Sequence, residues 1–178
     1  MPYYLVDVTE LPYPHTMESR NYDKDGQEVR SNWPSRPKER NVSSAVARDD
    51  CRELFTDTTI AQRRQACDVH AGDWTVVLPA VTAFLEPFPA TADPTEIHLA
   101  RKEDPRITDL ATADLILAQA LLNTHDPIKY FINGHGQLES VGQHRICWAR
   151  TAGIAALPVW FDTSTAHPPR TAVLLQRG

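Results

Sequence analysis

The sequence predicts an α/β (α+β) fold, a small mixed sheet with flanking helices, preceded by an N-terminal extension. Three observations lead there. The chain has 178 residues, 42% of them apolar, which is enough for a real core. Strand-like and helix-like segments follow one another in a regular order after Pro94. Glycines stand where one kind of segment gives way to the other, at Gly142 and Gly153.

The elements are expected as follows. Tyr3 to Val8 is β-rich and loosely alternating, a short strand. Residues 12–42 hold Pro12, Pro14, Pro34 and Pro37 among charges of both signs, a long loop or arm. Residues 43–70 read as helical, with Ser43 or Ser44 and Thr58 or Thr59 as candidate caps. Trp74-Thr75-Val76-Val77-Leu78 reads as a strand, cut off by Pro79. Glu96–Ala100 reads as another, and Pro105-Arg106 ends the loop after it. A helix capped by Thr108 or Thr112 then runs to about Asn123, and Asp126-Pro127 stops it. Its apolar stripe is Leu110, Leu117, Leu121 with Leu115, Ala118, Leu122. Ile128–Ile132 is a strand, Asn133-Gly134-His135-Gly136 a turn, and Leu138–Val141 the returning strand. Gly142 breaks that strand, Arg145–Ala152 is a helix closed by Gly153, and Leu157–Phe161 is the last strand. These segments divide the chain into residues 1–90, an extension packed on the core, a domain at 91–164 and a tail at 165–178.

Composition narrows the function classes. The net charge of -5 carries no overall basic footprint for nucleic acid, so DNA contact needs a local patch. The arginines and lysines at 36, 38, 40, 48, 52, 63 and 64 are interspersed with acids and read as a solvated face more than a groove. No stretch reaches the roughly 20 apolar residues of a membrane span, and the start lacks the basic and apolar regions of a signal peptide. A cytoplasmic, not membrane-spanning protein is expected. The cysteines, Cys51, Cys67 and Cys147, offer no CxxC pair, so neither a disulfide scaffold nor a structural zinc site is expected.

Chemistry concentrates at Val141-Gly142-Gln143-His144-Arg145, between a strand and a helix. A helix start offers unpaired N–H groups and a partial positive charge. Glycine there permits a tight turn and close approach of an anion. Arginine one turn on can fork onto two phosphate oxygens, and His144 can donate or shuttle a proton. Together they make a phosphate cradle. As a bare pattern the same residues also describe a glycine turn with a surface arginine. Glu139, on the strand leading in, can hold a divalent ion or orient water, or be an exposed strand residue; alternation puts it on one face with Val141. Asp126 reads mainly as a helix stop, and His98 as a half-buried strand histidine.

The run from Gly142 to Val159 resembles the ParB/sulfiredoxin signature: a glycine, two polar residues and an arginine opening a helix, a mid-helix alanine, a closing glycine, then Pro158-Val159. Glu96-Ile97-His98-Leu99 resembles that family's first strand, Pro105-Arg106 its proline-arginine corner and Asp126-Pro127-Ile128 its strand entry. The resemblance implies a nucleoside triphosphate, ATP in the first place, at Gly142, Gln143, His144 and Arg145, joined by Arg106. The hydroxyl which the family offers from its helix is missing at Leu117-Ala118-Gln119-Ala120, so Gln119 or Thr112 has to substitute. Sulfiredoxins carry cysteine directly before the His-Arg pair, where Gln143 stands, and Cys147 lies a turn away, so sulfinic acid reduction is not expected.

The layout further resembles the family's plasmid-borne fertility-inhibition members. That implies a plasmid-encoded ATPase with metal-dependent DNase activity, using Mg or Mn, that inhibits conjugative or T-DNA transfer. Its catalytic residues would be His144, Arg145 and Glu139. The partners implied are nucleotide, DNA and a component of a type IV secretion or conjugation machine. The other reading is a non-catalytic docking module on a secretion or partition machine.

Overall fold

A computed structural model of the chain describes residues 2–11, 20–22, 28–30, 71–132, 138–142, 145, 146, 149, 152–162, 164 and 167–178; for residues 20–22, 28–30 and 138–140 the backbone alone is described. The helices expected at 43–70 and the turn at Asn133–Gly136 lie outside these residues.

β1 (Tyr3–Asp7) forms where a strand is expected. It lies inside a five-stranded sheet of order β5-β4-β6-β1-β7, made with β4 (Lys129–Ile132), β5 (Leu138–Ser140), β6 (Ala156–Phe161) and β7 (Val173–Leu174). β4 and β5 pair antiparallel, with Phe131 opposite Glu139. β6 runs parallel to β4 and antiparallel to β1, and β1 runs antiparallel to β7. The sheet thus draws on residues on both sides of positions 90 and 164. Residues expected as a tail supply β7, the buried Leu175 and the buried Gln176. The Gln176 Oε1 accepts from the Tyr3 backbone N–H at 2.6 Å. Within residues 12–42, expected as loop, β2 (Arg20–Tyr22) and β3 (Glu28–Arg30) pair as an antiparallel ribbon.

Pro158 is buried in β6 between two neighbouring strands, a place that normally rejects proline. The backbone explains it. The Trp160 N–H points to β4's side, donating to the Ile128 carbonyl at 2.8 Å. By the two-residue period, the ring nitrogen of Pro158 faces the same way. β4 pairs with β6 at Trp160 and Phe161; Pro158 lies before that stretch, so no ladder bond to β4 is lost.

Two expected strands are helices. α1 (Trp74–Leu85) includes the whole of Trp74–Leu78. Its buried residues, Trp74, Val77, Val81, Phe84 and Leu85, recur at helical spacing. Asp73 caps it, accepting from the Thr75 N–H at 2.8 Å. The β-branched run 75–77 follows burial rather than local strand preference. Pro79 lies inside this helix with its ring exposed; an interior proline costs about 3 kcal/mol, against five buried apolar side chains at about 1.5–3 kcal/mol each. α2 (Pro94–Ala100) replaces the strand expected at Glu96–Ala100. Its start is Asp93 as cap and Pro94 in the first turn. The same Asp-Pro device, Asp104 with Pro105, opens α3 (Pro105–Thr108) where a loop end was expected.

α4 (Thr112–Leu121) is the long expected helix. It starts without a side-chain cap: neither Thr108 nor Thr112 fills that role, and Ala111 precedes it. It ends at Leu121, ahead of Asp126-Pro127. Leu117, Ala118, Leu121 and Leu122 of the expected stripe are buried. α1 packs on both α3 and α4. Gly72 permits the close approach at α1's start, since a Cβ there would lie 2.6 Å from the Leu117 Cβ and 2.9 Å from the Ala113 carbonyl oxygen. Asp114 accepts from the Asp73 N–H at 2.7 Å across the same junction.

Candidate functional site

β5 leads into the site. The Val141 N–H still donates to the Lys129 carbonyl at 3.0 Å, holding the β4–β5 pair to its end. Gly142 then turns with φ +83, a conformation that costs side-chain-bearing residues about 1–2 kcal/mol. Its carbonyl accepts from the Ile146 N–H at 3.1 Å and opens the helix to which Arg145, Ile146 and Ala149 belong. The Ile154 N–H donates to the Ala149 carbonyl at 2.9 Å, with Gly153 at φ +74, which closes it as expected. A Cβ at Gly142 would stand 2.9 Å from Ile128 Cγ1 and 3.2 Å from Arg145 Nη2. Glycine is therefore favoured both by φ and by the closeness of Ile128, with the Arg145 guanidinium packed alongside.

Arg145 is 8% exposed, so it is not a surface arginine. Its Nη1 donates to the Ala120 carbonyl, and its Nη2 to Asp126 Oδ2 at 3.1 Å. Burial pulls the Arg145 pKa down, and the Asp126 carboxylate and the Tyr3 phenol push it up. Arg101 does the matching job one residue earlier on α4: its Nη1 donates to the Gln119 carbonyl at 2.7 Å. The last carbonyls of a helix have no partner within it and form its negative end. Two guanidinium groups thus satisfy consecutive carbonyls there, the most favourable place for cations on a helix.

The Arg101 Nη2 lies 3.2 Å from His98 Nδ1. Because guanidinium only donates, that nitrogen accepts, which requires His98 neutral with its proton on Nε2. Desolvation, then the charges of Arg101, Lys102 and His125, pull the His98 pKa down, in keeping with that form. The His98 and His125 rings meet edge to face at 5.3 Å. Tyr3 of β1 completes the group: its side chain is 1% exposed, and burial raises its pKa to about 12 against the opposing pull of Arg101 and Arg145. Among the described residues, the Tyr3 hydroxyl and the Arg101 Nε are buried without a hydrogen-bond partner.

Gly142 and Arg145 are therefore together, as the pattern requires. Arg106 is differently engaged: Nε and Nη2 fork onto Asp104 at 2.9 and 2.6 Å, and Nη1 donates to the Ala83 carbonyl on α1. Gln119 is exposed on α4 and contributes its carbonyl to Arg101. Thr112, the other candidate for the missing hydroxyl, is exposed in α4's first turn. Gln143, His144 and Cys147 lie outside the described residues, and Glu139 is placed by its backbone alone. Among the described residues no three His, Cys, Asp or Glu gather so as to hold a metal ion. Also among these residues, no helix is long and apolar enough to cross a membrane.

Beside its expected place after the helix, Asp126 pairs with Arg145; an acid 19 residues before the arginine is a weak sequence signal for that pair, and nothing local marks the neighbouring Tyr3 and Arg101. The chain matches no protein-family model, no curated protein and no solved structure.

Proposed function

We propose that the protein binds the phosphate groups of a nucleoside triphosphate, ATP in the first place, over the Gly142 turn and hydrolyses it. The observation that carries the reading is the contact of Gly142 with Arg145 at the strand-to-helix turn, where the arginine already holds an anion. That anion, the Asp126 carboxylate, has a side chain 71% exposed, against 9% for Arg145. An incoming phosphate can take its place from the solvent side while the part-buried bond to the Ala120 carbonyl stays. Guanidinium charge facing phosphate oxygens stabilises the charge that grows in phosphoryl transfer. In this reading His144 transfers the proton, Glu139 orients water, and Gln143 and the helix N-terminus line the phosphates. The resemblance to ParB/sulfiredoxin proteins extends the proposal to DNA cleavage and to a plasmid-encoded inhibitor of conjugative or T-DNA transfer acting in the cytoplasm.

The test is a thermal melt with and without ATP, joined to phosphate release in the presence of Mg or Mn. A ligand that binds only the folded chain raises its melting temperature. His144→Ala should keep that rise and lower turnover at least about 10²-fold. No rise and no release in the wild type refute the proposal. They would leave the docking-module reading, which one observation favours: both ends of the Arg145 fork are already bound by the chain itself.

A further inference from the structure

Arg101 ties the end of α2 to the end of α4, and a histidine holds it in place. α2 has a single buried residue, Ile97, and packs broadly on no other element among the described residues. A polar tie comes from Arg101, the residue that closes it: the Nη1 donates to the Gln119 carbonyl at 2.7 Å, across 18 residues of chain. His98 lies three residues before Arg101, which puts both on one side of the helix. The Arg101 Nη2 stands 3.2 Å from His98 Nδ1. That contact is a bond only while the nitrogen carries no proton, since guanidinium has donors alone. The surroundings offer nothing to soften a second charge. Arg101 and Lys102 from the same helix end and His125 from the segment after α4 bear on His98, and none of them is an acid. The His125 ring meets it edge to face at 5.3 Å. Asp126, beside His125 in the chain, bonds Arg145 instead. The Tyr3 phenol, whose pKa burial pushes to about 12, carries no charge at neutral pH.

We propose that His98 is a proton-operated latch on the carboxyl end of α4: neutral, it holds Arg101 against the Gln119 carbonyl; protonated, it drives Arg101 away and releases α2 from α4. Protonation changes two things at once. The Nδ1 acceptor becomes a donor that faces another donor, and a new positive charge stands beside a guanidinium that cannot give up its own. The Gln119 carbonyl then loses its partner at a helix end that has none to offer from within. Ala120, next in the chain, is the residue whose carbonyl Arg145 holds, so the latch adjoins the candidate site. The inference is independent of what that site binds. Its direction follows from the histidine's own equilibrium. Desolvation first, then the neighbouring cations, hold the His98 pKa below the ordinary 6.5. The unfolded chain therefore takes the proton first, and stability is lost as pH falls from 6.5 towards the lower folded value, where the latch opens.

The experiment is NMR on the full chain with labelled histidine rings, joined to amide hydrogen exchange, for wild type, His98→Gln and Arg101→Gln. In wild type the His98 ring should titrate below 6.5. As it gains its proton, exchange at the Leu121 and Leu122 amides, corrected for the intrinsic rate at each pH, should speed up about tenfold, the scale of one hydrogen bond to a charged group. His98→Gln keeps an acceptor for Arg101 but takes no proton, so its exchange should stay level across that range. In Arg101→Gln the tie is gone at every pH: exchange should be fast throughout, and His98 should titrate closer to 6.5. A wild type in which His98 is protonated while Leu121 and Leu122 stay protected overturns the latch, as does a His98 that gains no proton before the chain unfolds. His98→Gln opening in acid as wild type does also overturns it, because the proton then acts elsewhere. A His98 titration that Arg101→Gln leaves where it was shows that the two side chains do not meet, with the same consequence.

Discussion

Replacing Arg145 by alanine should unfold the protein early, because this arginine is a buried clamp. Two interactions disappear. The first is the Nη1 bond to the Ala120 carbonyl at the end of α4. Bonds to a charged group contribute about 1.5–3 kcal/mol, and the carbonyl left behind loses its partner in a part-buried place. The second is the pair with Asp126, whose side chain is 71% exposed. Solvent screens such a pair to at most about 1 kcal/mol. The loss is therefore about 2–4 kcal/mol. For a domain of this size each kcal/mol moves the melting temperature by about 2–4 °C, so Arg145→Ala should melt about 4–16 °C below wild type by circular dichroism. Asp126→Asn should fall by at most a quarter of that range, and Arg145→Lys should lie between, since an ammonium cannot fork. A melt of Arg145→Ala within about 2 °C of wild type would show that the guanidinium is not the clamp described. A loss in Asp126→Asn as large as in Arg145→Ala would show that the ion pair, not the carbonyl bond, holds this end of α4.

Gly142→Ala combines a strained φ of +83 with a Cβ 2.9 Å from Ile128 Cγ1; about 2–4 kcal/mol should be lost in urea unfolding, and a loss under about 0.5 kcal/mol would mean that the turn relaxes freely. Tyr3 is an acid whose pKa rises from 10.0 in the unfolded chain to about 12 in the fold, so the unfolded chain loses its proton first and stability falls as pH climbs from about 10 to about 12. Tyr3→Phe should be spared about 2–3 kcal/mol of that fall, and parallel stability curves for the two proteins across this window would contradict the burial of the phenol. The Asp104 pKa is held down, chiefly by its hydrogen bond from the Arg106 side chain. Its contribution is present above the ordinary value of 3.8 and is lost as pH falls through the lower folded value. Asp104→Asn, which keeps the cap, should flatten the acid end of the stability curve, and an unchanged acid limb would deny the pair any role.

What the sequence determined by itself was whatever is settled within a few residues. β1, β4, β5 and β6 were legible from short β-rich runs, α4 from its apolar stripe, and the breaks at Gly142 and Gly153 from the freedom of glycine to take positive φ. The candidate site was legible as far as Gly142 and Arg145, because a turn and the residue one helical turn on are local facts. The strands expected at Trp74–Leu78 and Glu96–Ala100 failed where two local signals competed. The β-branched run and Pro79 pointed away from a helix, while the Asp73 cap and the spacing of Trp74, Val77, Val81 and Phe84 pointed to one. Asp93-Pro94 is a local helix start that competes with the strand-like residues that follow it. Packing on α4 decided the first case: five apolar side chains of one face are buried together only as a helix.

Only the tertiary structure decided where Arg145 points and what stands around it. Its guanidinium meets a carbonyl 25 residues earlier in the chain. The phenol of Tyr3 reaches the same neighbourhood because β1 enters the sheet beside β6, with Tyr3 opposite Trp160. Such partners are set by the order in which strands pair and by which helix end needs its carbonyls satisfied, and neither leaves a periodic or spaced trace in the sequence. A charged side chain reads the same on paper whether it faces water or closes a helix. The difference lies in burial, which belongs to the whole chain.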